Sequence, residues 1–186
     1  MSLEAVVLTG GKSRRMGQDK AKISIGGVPQ AERIVRDLLG AGIPVTILGS
    51  EPIEGAAFLK DKAEYAGPIS ALKEFIPKAD FVFVASCDLP LFDARVVRFL
   101  HVRIGEHDAV TPEVDGFRQP LCTLYKASTF SKLESLADQC VMGWLDAIDA
   151  LVISEQELTD EGLRPAVARG ANTPEELEMM LAEGGK

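Results

Sequence analysis

The chain has 186 residues, 46% hydrophobic and 26% charged, with 20 basic against 28 acidic side chains and a net charge of −8. A chain of this length buries roughly 70% of the surface its unfolded form exposes, enough for one core and short for two, so a single domain over residues 1–186 is expected, and disordered, collagen-like and disulfide-scaffold classes are excluded. The longest apolar runs fall far short of the roughly 20 residues of a membrane helix, MSLEAVVLTGG lacks a signal-peptide pattern, and the acidic balance argues against a nucleic-acid polymer, so a cytoplasmic protein without membrane or nucleic-acid partners is expected.

Glu4 to Thr9 (EAVVLT) reads as a buried strand that stops at Gly10-Gly11 and feeds a glycine-rich loop. Pro29 can then open a helix running to about Leu39, with Ile34, Val35, Leu38 and Leu39 on one stripe, and Val45 to Leu48 is the next strand. Pro68 to Phe75 reads as a second helix, Phe81 to Ala85 (FVFVA) as a fully apolar strand, and Asp93 to Ile104 as a third helix capped by Asp93. Ala109 to Thr111 and Leu121 to Tyr125 read as strands on either side of the turn residues Asp115-Gly116, and Ser128 to Leu136 as a helix. Leu151 to Ile153 is a weak last strand. Thr173-Pro174-Glu175-Glu176 starts a final helix with Thr173 as cap and Glu176 closing a capping box, before a frayed tail from Glu183 to Lys186. Strands alternating with helices imply a mostly parallel sheet covered on both faces, with ligands outside the carboxyl ends of its strands.

The stretch Leu8 to Lys20, LTGGKSRRMGQDK, carries two glycines and then Lys12, Arg14, Arg15 and Lys20 against a single acid, Asp19. Adjacent glycines let backbone N–H groups approach phosphate oxygens, and flexible cations neutralise them. It is not a Walker A loop, because the glycine that GKS requires five residues earlier falls on Val6, and it is not GxGxxG. From composition alone, a glycine turn in a solvated basic surface is the plain alternative.

LTGGKSRRMGQDK resembles the signature LxGGxSxRMGxDK of the MobA-like nucleotidyltransferases. Tyr65-Ala66-Gly67-Pro68-Ile69, Cys87-Asp88-Leu89-Pro90 and Gly170-Ala171-Asn172-Thr173-Pro174-Glu175-Glu176-Leu177 agree with that family in order and spacing, so the resemblance covers nearly the whole chain. It implies a Rossmann-like three-layer α/β/α fold with a mostly parallel central sheet, of the nucleotide-diphospho-sugar transferase type. The implied activity is Mg²⁺-dependent transfer of a nucleoside monophosphate from an NTP to a phosphorylated acceptor, with pyrophosphate leaving. The best-known activity of the family implies GTP as donor and molybdopterin as acceptor, with molybdoenzymes and other cofactor-biosynthesis proteins as partners.

By this resemblance the nucleotide lies on Leu8, Thr9 and Gly10, with Gly11 and Arg15 near the phosphates and Lys20 neutralising them. A fixed ammonium and a metal suit the charge that builds as pyrophosphate departs. Asp88 follows the most apolar strand and therefore stands at the carboxyl edge of a sheet, where one carboxylate can serve Mg²⁺ alongside water and phosphate oxygens; capping the turn before Pro90 is its plain alternative. The resemblance places Asn172 near metal and phosphates, against a local Asx turn. Asp61 and Gly67 flank the stretch that lies against base and ribose in the family, and a carboxylate suits the N1–H and N2–H donors of guanine; a solvated loop charge is the alternative for Asp61. The family often carries Asn after the second strand, where this chain has Gly49, and Gln119-Pro120 resembles a family turn on the acceptor side.

Cys87, Cys122 and Cys140 match no zinc or redox spacing and read as reduced, buried thiols. His101 and His107 have no partner at metal-ligand spacing and read as structural or surface residues, and Trp144 reads as core. Three activities stay open: guanylyl transfer to molybdopterin, cytidylyl transfer to the same cofactor or nucleotidyl transfer to another small phosphate, and a non-catalytic nucleotide- or cofactor-binding chaperone. Lys20 together with Asp88 speaks against the last, since mere binding needs neither an activating cation nor a metal ligand.

Overall fold

A computed structural model describes residues 1–10, 23–61, 67–136 and 140–184 of the chain. The first strand, β1, spans Leu3–Leu8 and is followed by the two-residue strands β2 (Ser24–Ile25) and β3 (Val28–Pro29), which pair as a small hairpin. Helix α1 is Gln30–Gly40. Pro29 is its cap rather than its first residue, because its extended backbone (ψ 140°) is still paired with Ser24 in the hairpin. Strands β4 (Val45–Gly49) and β5 (Ala57–Lys60) follow, then α2 (Pro68–Lys73) and β6 (Phe81–Ser86). The second helix stops short of Phe75 because its last turn tightens: the amides of Glu74 and Phe75 donate to the carbonyls of Ala71 and Leu72, three residues back.

Helix α3 spans Arg95–Arg103. Its cap is Ala94 rather than the expected Asp93, because the chain is already helical at Ala94; Asp93 Oδ1 accepts from the Arg95 amide at 2.9 Å, and Asp37 of α1 accepts from the Ala94 amide at 2.7 Å. Strand β7 runs over Ala109–Val114, further than expected, since Asp115 (φ 54°) and Gly116 (φ 76°) form a two-residue turn that folds β8 (Phe117–Arg118) back onto it. Both central residues at positive φ is the primed turn that matches strand twist. Strand β9 is Cys122–Lys126. The segment read as a helix from Ser128 is a 3₁₀ helix, Ala127–Ser135, in which the hydroxyls of Thr129, Ser131 and Ser135 each donate to the carbonyl three residues back and favour the tighter turn. Then come α4 (Val141–Asp146), β10 (Ala150–Ile153), α5 (Glu155–Asp160), a 3₁₀ turn over Pro165–Ala168 and α6 (Pro174–Gly184). The last helix includes Glu183 and Gly184 of the expected tail, and Gly185 and Lys186 lie outside the described residues.

The central sheet has the order β10-β7-β9-β6-β1-β4-β5, with β8 on β7. Pairings β1–β4, β1–β6, β4–β5 and β7–β10 are parallel and β9 alone on this path is reversed, so the expected mostly parallel sheet is present. Its two faces are both dry. Ala5, Val7, Phe83 and Ala85 point into one core with Ile34, Leu38 and Leu100 of α1 and α3, while Val6, Leu8, Val82 and Val84 point into another with Leu72, Tyr125 and Trp144. Burial on both faces is why β1 is apolar from Ala5 to Leu8 and β6 from Phe81 to Ala85. Trp144 is core as expected: it stacks on Tyr125 at 4.0 Å and its Nε1–H donates to the Thr129 carbonyl. Among the described residues no helix is long and apolar enough to cross a membrane.

Candidate active site at the carboxyl edge of the sheet

The end of β1 is locked to its neighbours by backbone bonds that continue the ladder past the strands. The Thr9 amide donates to the Leu48 carbonyl at 2.9 Å, the Cys87 amide donates to the Leu8 carbonyl at 3.1 Å, and the Asp61 amide donates to the Gly49 carbonyl at 3.0 Å. These three bonds assemble the exits of β1, β4, β5 and β6 into one edge. Thr9 is buried, whereas Gly10 is exposed and has no side chain to fill the space above it. The Asp61 carboxylate reaches over Gly10: a Cβ on that glycine would meet Asp61 Oδ2 at 3.4 Å. Gly67 enters α2 at φ 92°, a conformation that L side chains rarely adopt, and is exposed.

On the other side of Leu8, Asp88 emerges half-buried from the end of β6. The Ser86 hydroxyl donates to Asp88 Oδ1 at 2.5 Å, and the Ala171 amide donates to the Asp88 carbonyl at 2.9 Å. Gly170 sits so close that a Cβ there would stand 3.4 Å from Asp88 Oδ1. The Gly170-Ala171-Asn172 stretch is thereby drawn across the exit of β6 and leaves Asn172 exposed beside it. Thr173 Oγ1 accepts from the Glu176 amide as expected of a cap, but Glu176 Oε2 accepts from the Asn172 amide at 2.7 Å, one residue earlier than a capping box requires.

The structure therefore gathers Leu8, Thr9, Gly10 and Asp61 on one side of this edge and Asp88 and Asn172 on the other. Gly11, Lys12, Arg14, Arg15, Lys20, Tyr65 and Ala66 lie outside the described residues. Sequence reading missed Ser86, whose hydroxyl orients Asp88, and it noted Gly49 and Gly170 without their packing: a Cβ on Gly49 would collide with Thr9, and one on Gly170 would stand in ordinary contact with Asp88. No motif announces the first, and only neighbours distant in sequence explain the other two. His101 packs edge-on against Phe81, and His107 Nδ1 lies 3.0 Å from Asp149, both away from this edge. Cys87 and Cys122 are buried, and desolvation pushes the Cys122 thiol pKa up; Cys140, expected to be buried, is exposed, where its Sγ accepts from the Gly143 amide as the cap of α4. Among the described residues no group of three His, Cys, Asp or Glu side chains could cage a metal.

Residues 5–152 match the model of the MobA-like NTP transferase domain. The chain belongs to that family. It is a nucleotidyltransferase of Rossmann-like, nucleotide-diphospho-sugar transferase-like fold, as the sheet order requires. It is 26% identical over 190 residues to a probable molybdenum cofactor guanylyltransferase of Carboxydothermus hydrogenoformans, covering 97% of this chain and 95% of that protein. It is 31% identical over 175 residues to a molybdenum cofactor biosynthesis bifunctional protein of Synechocystis, covering 85% of this chain and 50% of that one. Its fold is similar to that of molybdopterin-guanine dinucleotide biosynthesis protein A from Archaeoglobus fulgidus, with a TM-score of 0.76, 21% identity and 98% of each chain covered.

Proposed function

We propose that this nucleotidyltransferase is a molybdenum cofactor guanylyltransferase, moving GMP from GTP to the phosphate of molybdopterin. Family membership and the names of its relatives support the reading. The observation that carries it in the structure is the placement of Asp88, oriented by Ser86, at the same sheet edge as the Leu8–Gly10 exit and the Asp61 carboxylate.

In this reading the triphosphate lies along the loop after Gly10, with Gly11 giving backbone donors and Arg15 and Lys20 giving charge. An oxygen of the acceptor phosphate forms the new bond to the α-phosphorus while the bond to the bridging oxygen breaks, and Lys20 follows the negative charge onto the departing pyrophosphate. Asp88 and Asn172 offer one hard carboxylate and one amide oxygen. That set fits Mg²⁺, which keeps water and phosphate oxygens for most of its octahedron. When bound, Mg²⁺ supplies charge neutralisation and orientation of the phosphates. The dry walls of β1 and β6 below the edge strengthen every charged contact above them.

Pyrophosphate release, measured with each of the four NTPs against molybdopterin and a panel of other small phosphates, tests the reading. Release with GTP and molybdopterin is expected. Release with CTP in its place would make the chain a cytidylyltransferase, and saturable nucleotide binding without release from any pair would make it a binding module.

A further inference from the structure

The hairpin β7–β8 stands on the carboxyl edge, and the transfer chemistry leaves it without a task. Strand β9 is antiparallel to both β6 and β7, so β6 and β7 run in the same direction and the turn Asp115-Gly116 projects from the edge that carries Asp88. At its tip Phe117 is 72% exposed, far more than the other exposed aromatic among the described residues, Phe58 at 39%. Single exposed apolar residues are ordinary on loops. This one is held on a rigid mount. Its backbone pairs with Val114, its carbonyl accepts from Gln119 Nε2 at 2.8 Å, and the next residue, Arg118, pairs with Asp146 at 2.6 Å. The Asp115 amide donates to Glu155 Oε1 at 2.7 Å, and the Asp115 carboxylate pairs with Arg169 at 3.3 Å. Arg169 directly precedes Gly170, the residue packed against the Asp88 carboxylate. One ion pair and one peptide unit thus connect the hairpin tip to the segment that lies on Asp88.

We propose that Phe117 is the stacking platform for the planar ring system of the acceptor, so that the hairpin selects a pterin-bearing phosphate over a phosphate without an aromatic ring. The proposal rests on the transferase reading given above. An aromatic side chain with two rotatable bonds on an anchored hairpin loses little entropy on binding and fits a fused heteroaromatic ring by offset stacking. Its position on the Arg169 side of Asp88, across the edge from Gly10 and Asp61, separates it from the nucleotide, so the ring it meets is the acceptor's rather than the guanine.

The test is calorimetric titration of the Mg²⁺-loaded full chain with a 6-substituted pterin phosphate, with glycerol phosphate and with GTP, on wild type, Phe117→Ala and Phe117→Trp. Expected is a loss of at least about fivefold in pterin phosphate affinity in Phe117→Ala, the lower range for removing one aromatic from a base stack. Phe117→Trp should restore it, with glycerol phosphate, GTP and the melting temperature unchanged in both variants. Wild-type pterin affinity in Phe117→Ala would overturn the platform while leaving the transferase reading intact. Failure of wild type itself to bind the pterin phosphate, with another acceptor supporting pyrophosphate release, would overturn both. A fall in sedimentation mass in Phe117→Ala without change in pterin affinity would reassign the residue to contact between copies of the chain.

Discussion

A Cβ on Gly49 would stand 1.9 Å from Thr9 Oγ1 and 3.1 Å from Thr9 Cβ, so the two residues are fitted to each other across the ends of β4 and β1. Turning the Thr9 hydroxyl away would relieve the first contact but not the second, and Gly10 N stands 3.4 Å off as well. Thr9 leaves no room for a side chain at position 49. Gly49→Asn should therefore cost about 1 to 3 kcal/mol of overpacking, read as a melting temperature lowered by several degrees. Adding Thr9→Gly, which removes both the hydroxyl and the Cβ that a side chain at position 49 would meet, should return part of the loss, and Thr9→Ala, which keeps the Cβ, should return less. A Gly49→Asn protein that melts with wild type would remove the fit between the two residues.

Asp88→Asn should fold and melt close to wild type, because the backbone bond from Ala171 reaches the Asp88 carbonyl rather than its carboxylate. Its turnover should fall by at least about a hundredfold, the common consequence of removing one electrostatic stabiliser of the transition state. Ser86→Ala leaves the carboxylate in place but removes its hydrogen bond at Oδ1, so a smaller fall, about tenfold, is expected in kcat. Turnover of Asp88→Asn near that of wild type at saturating Mg²⁺ would sink the metal assignment.

Much of this architecture was legible because it follows from burial. The apolar runs of β1 and β6 can only be strands covered on both faces, and Thr173-Pro174 can only begin a helix. The elements that escaped are those whose stability comes from elsewhere in the chain. Strands β2, β3 and β8 have two residues each, β5 is an edge strand with three of its four residues exposed, and α4 is a six-residue helix that carries Trp144. Helix α5 could have been found, since Ser154 and Glu157 form a complete capping box. The site divides in the same way. Gly10, Asp61, Asp88 and Asn172 follow from motif and strand position, whereas the hydroxyl of Ser86 on Asp88 and the fit of Gly49 against Thr9 depend on what the fold brings against them.

Acid should remove the stability that Glu157 contributes. Backbone and hydroxyl donors from Ser154 and the guanidinium of Arg103 hold its carboxyl at about 2, against an ordinary 4.5. A carboxylate depressed in the folded state adds stability that is complete above its unfolded pKa and is lost as pH falls toward the folded value. The contribution of Glu157 is therefore full above about pH 5 and gone near pH 2. Thermal melts of wild type and Glu157→Gln should differ at pH 7 and converge as the pH is lowered through this window. A difference that stays constant down to pH 2 would show that charge on Glu157 contributes nothing.

The proposed reading gives the choice of base to Asp61, and substitution there makes the most discriminating test. Its amide is anchored to Gly49 and its carboxylate overhangs Gly10, so it presents acceptors at the edge where no side chain from Gly10 or Gly49 intrudes. Guanine offers N1–H and N2–H to such a carboxylate, whereas cytosine and adenine cannot supply that pair. GTP is accordingly expected to bind wild type more tightly than CTP or ATP, since a base without the donors leaves buried acceptors unpaired at about 1 to 3 kcal/mol. Asp61→Asn replaces one acceptor with a donor. It should weaken GTP by about tenfold or more, leave CTP nearly unchanged and favour xanthosine triphosphate, whose 2-carbonyl accepts where the guanine 2-amino group donates. Titration of the Mg²⁺-loaded wild type and variant with the four nucleotides measures this directly. Equal wild-type affinities for GTP and CTP, or an Asp61→Asn protein that keeps its GTP affinity, would remove Asp61 from the base site and favour cytidylyl transfer.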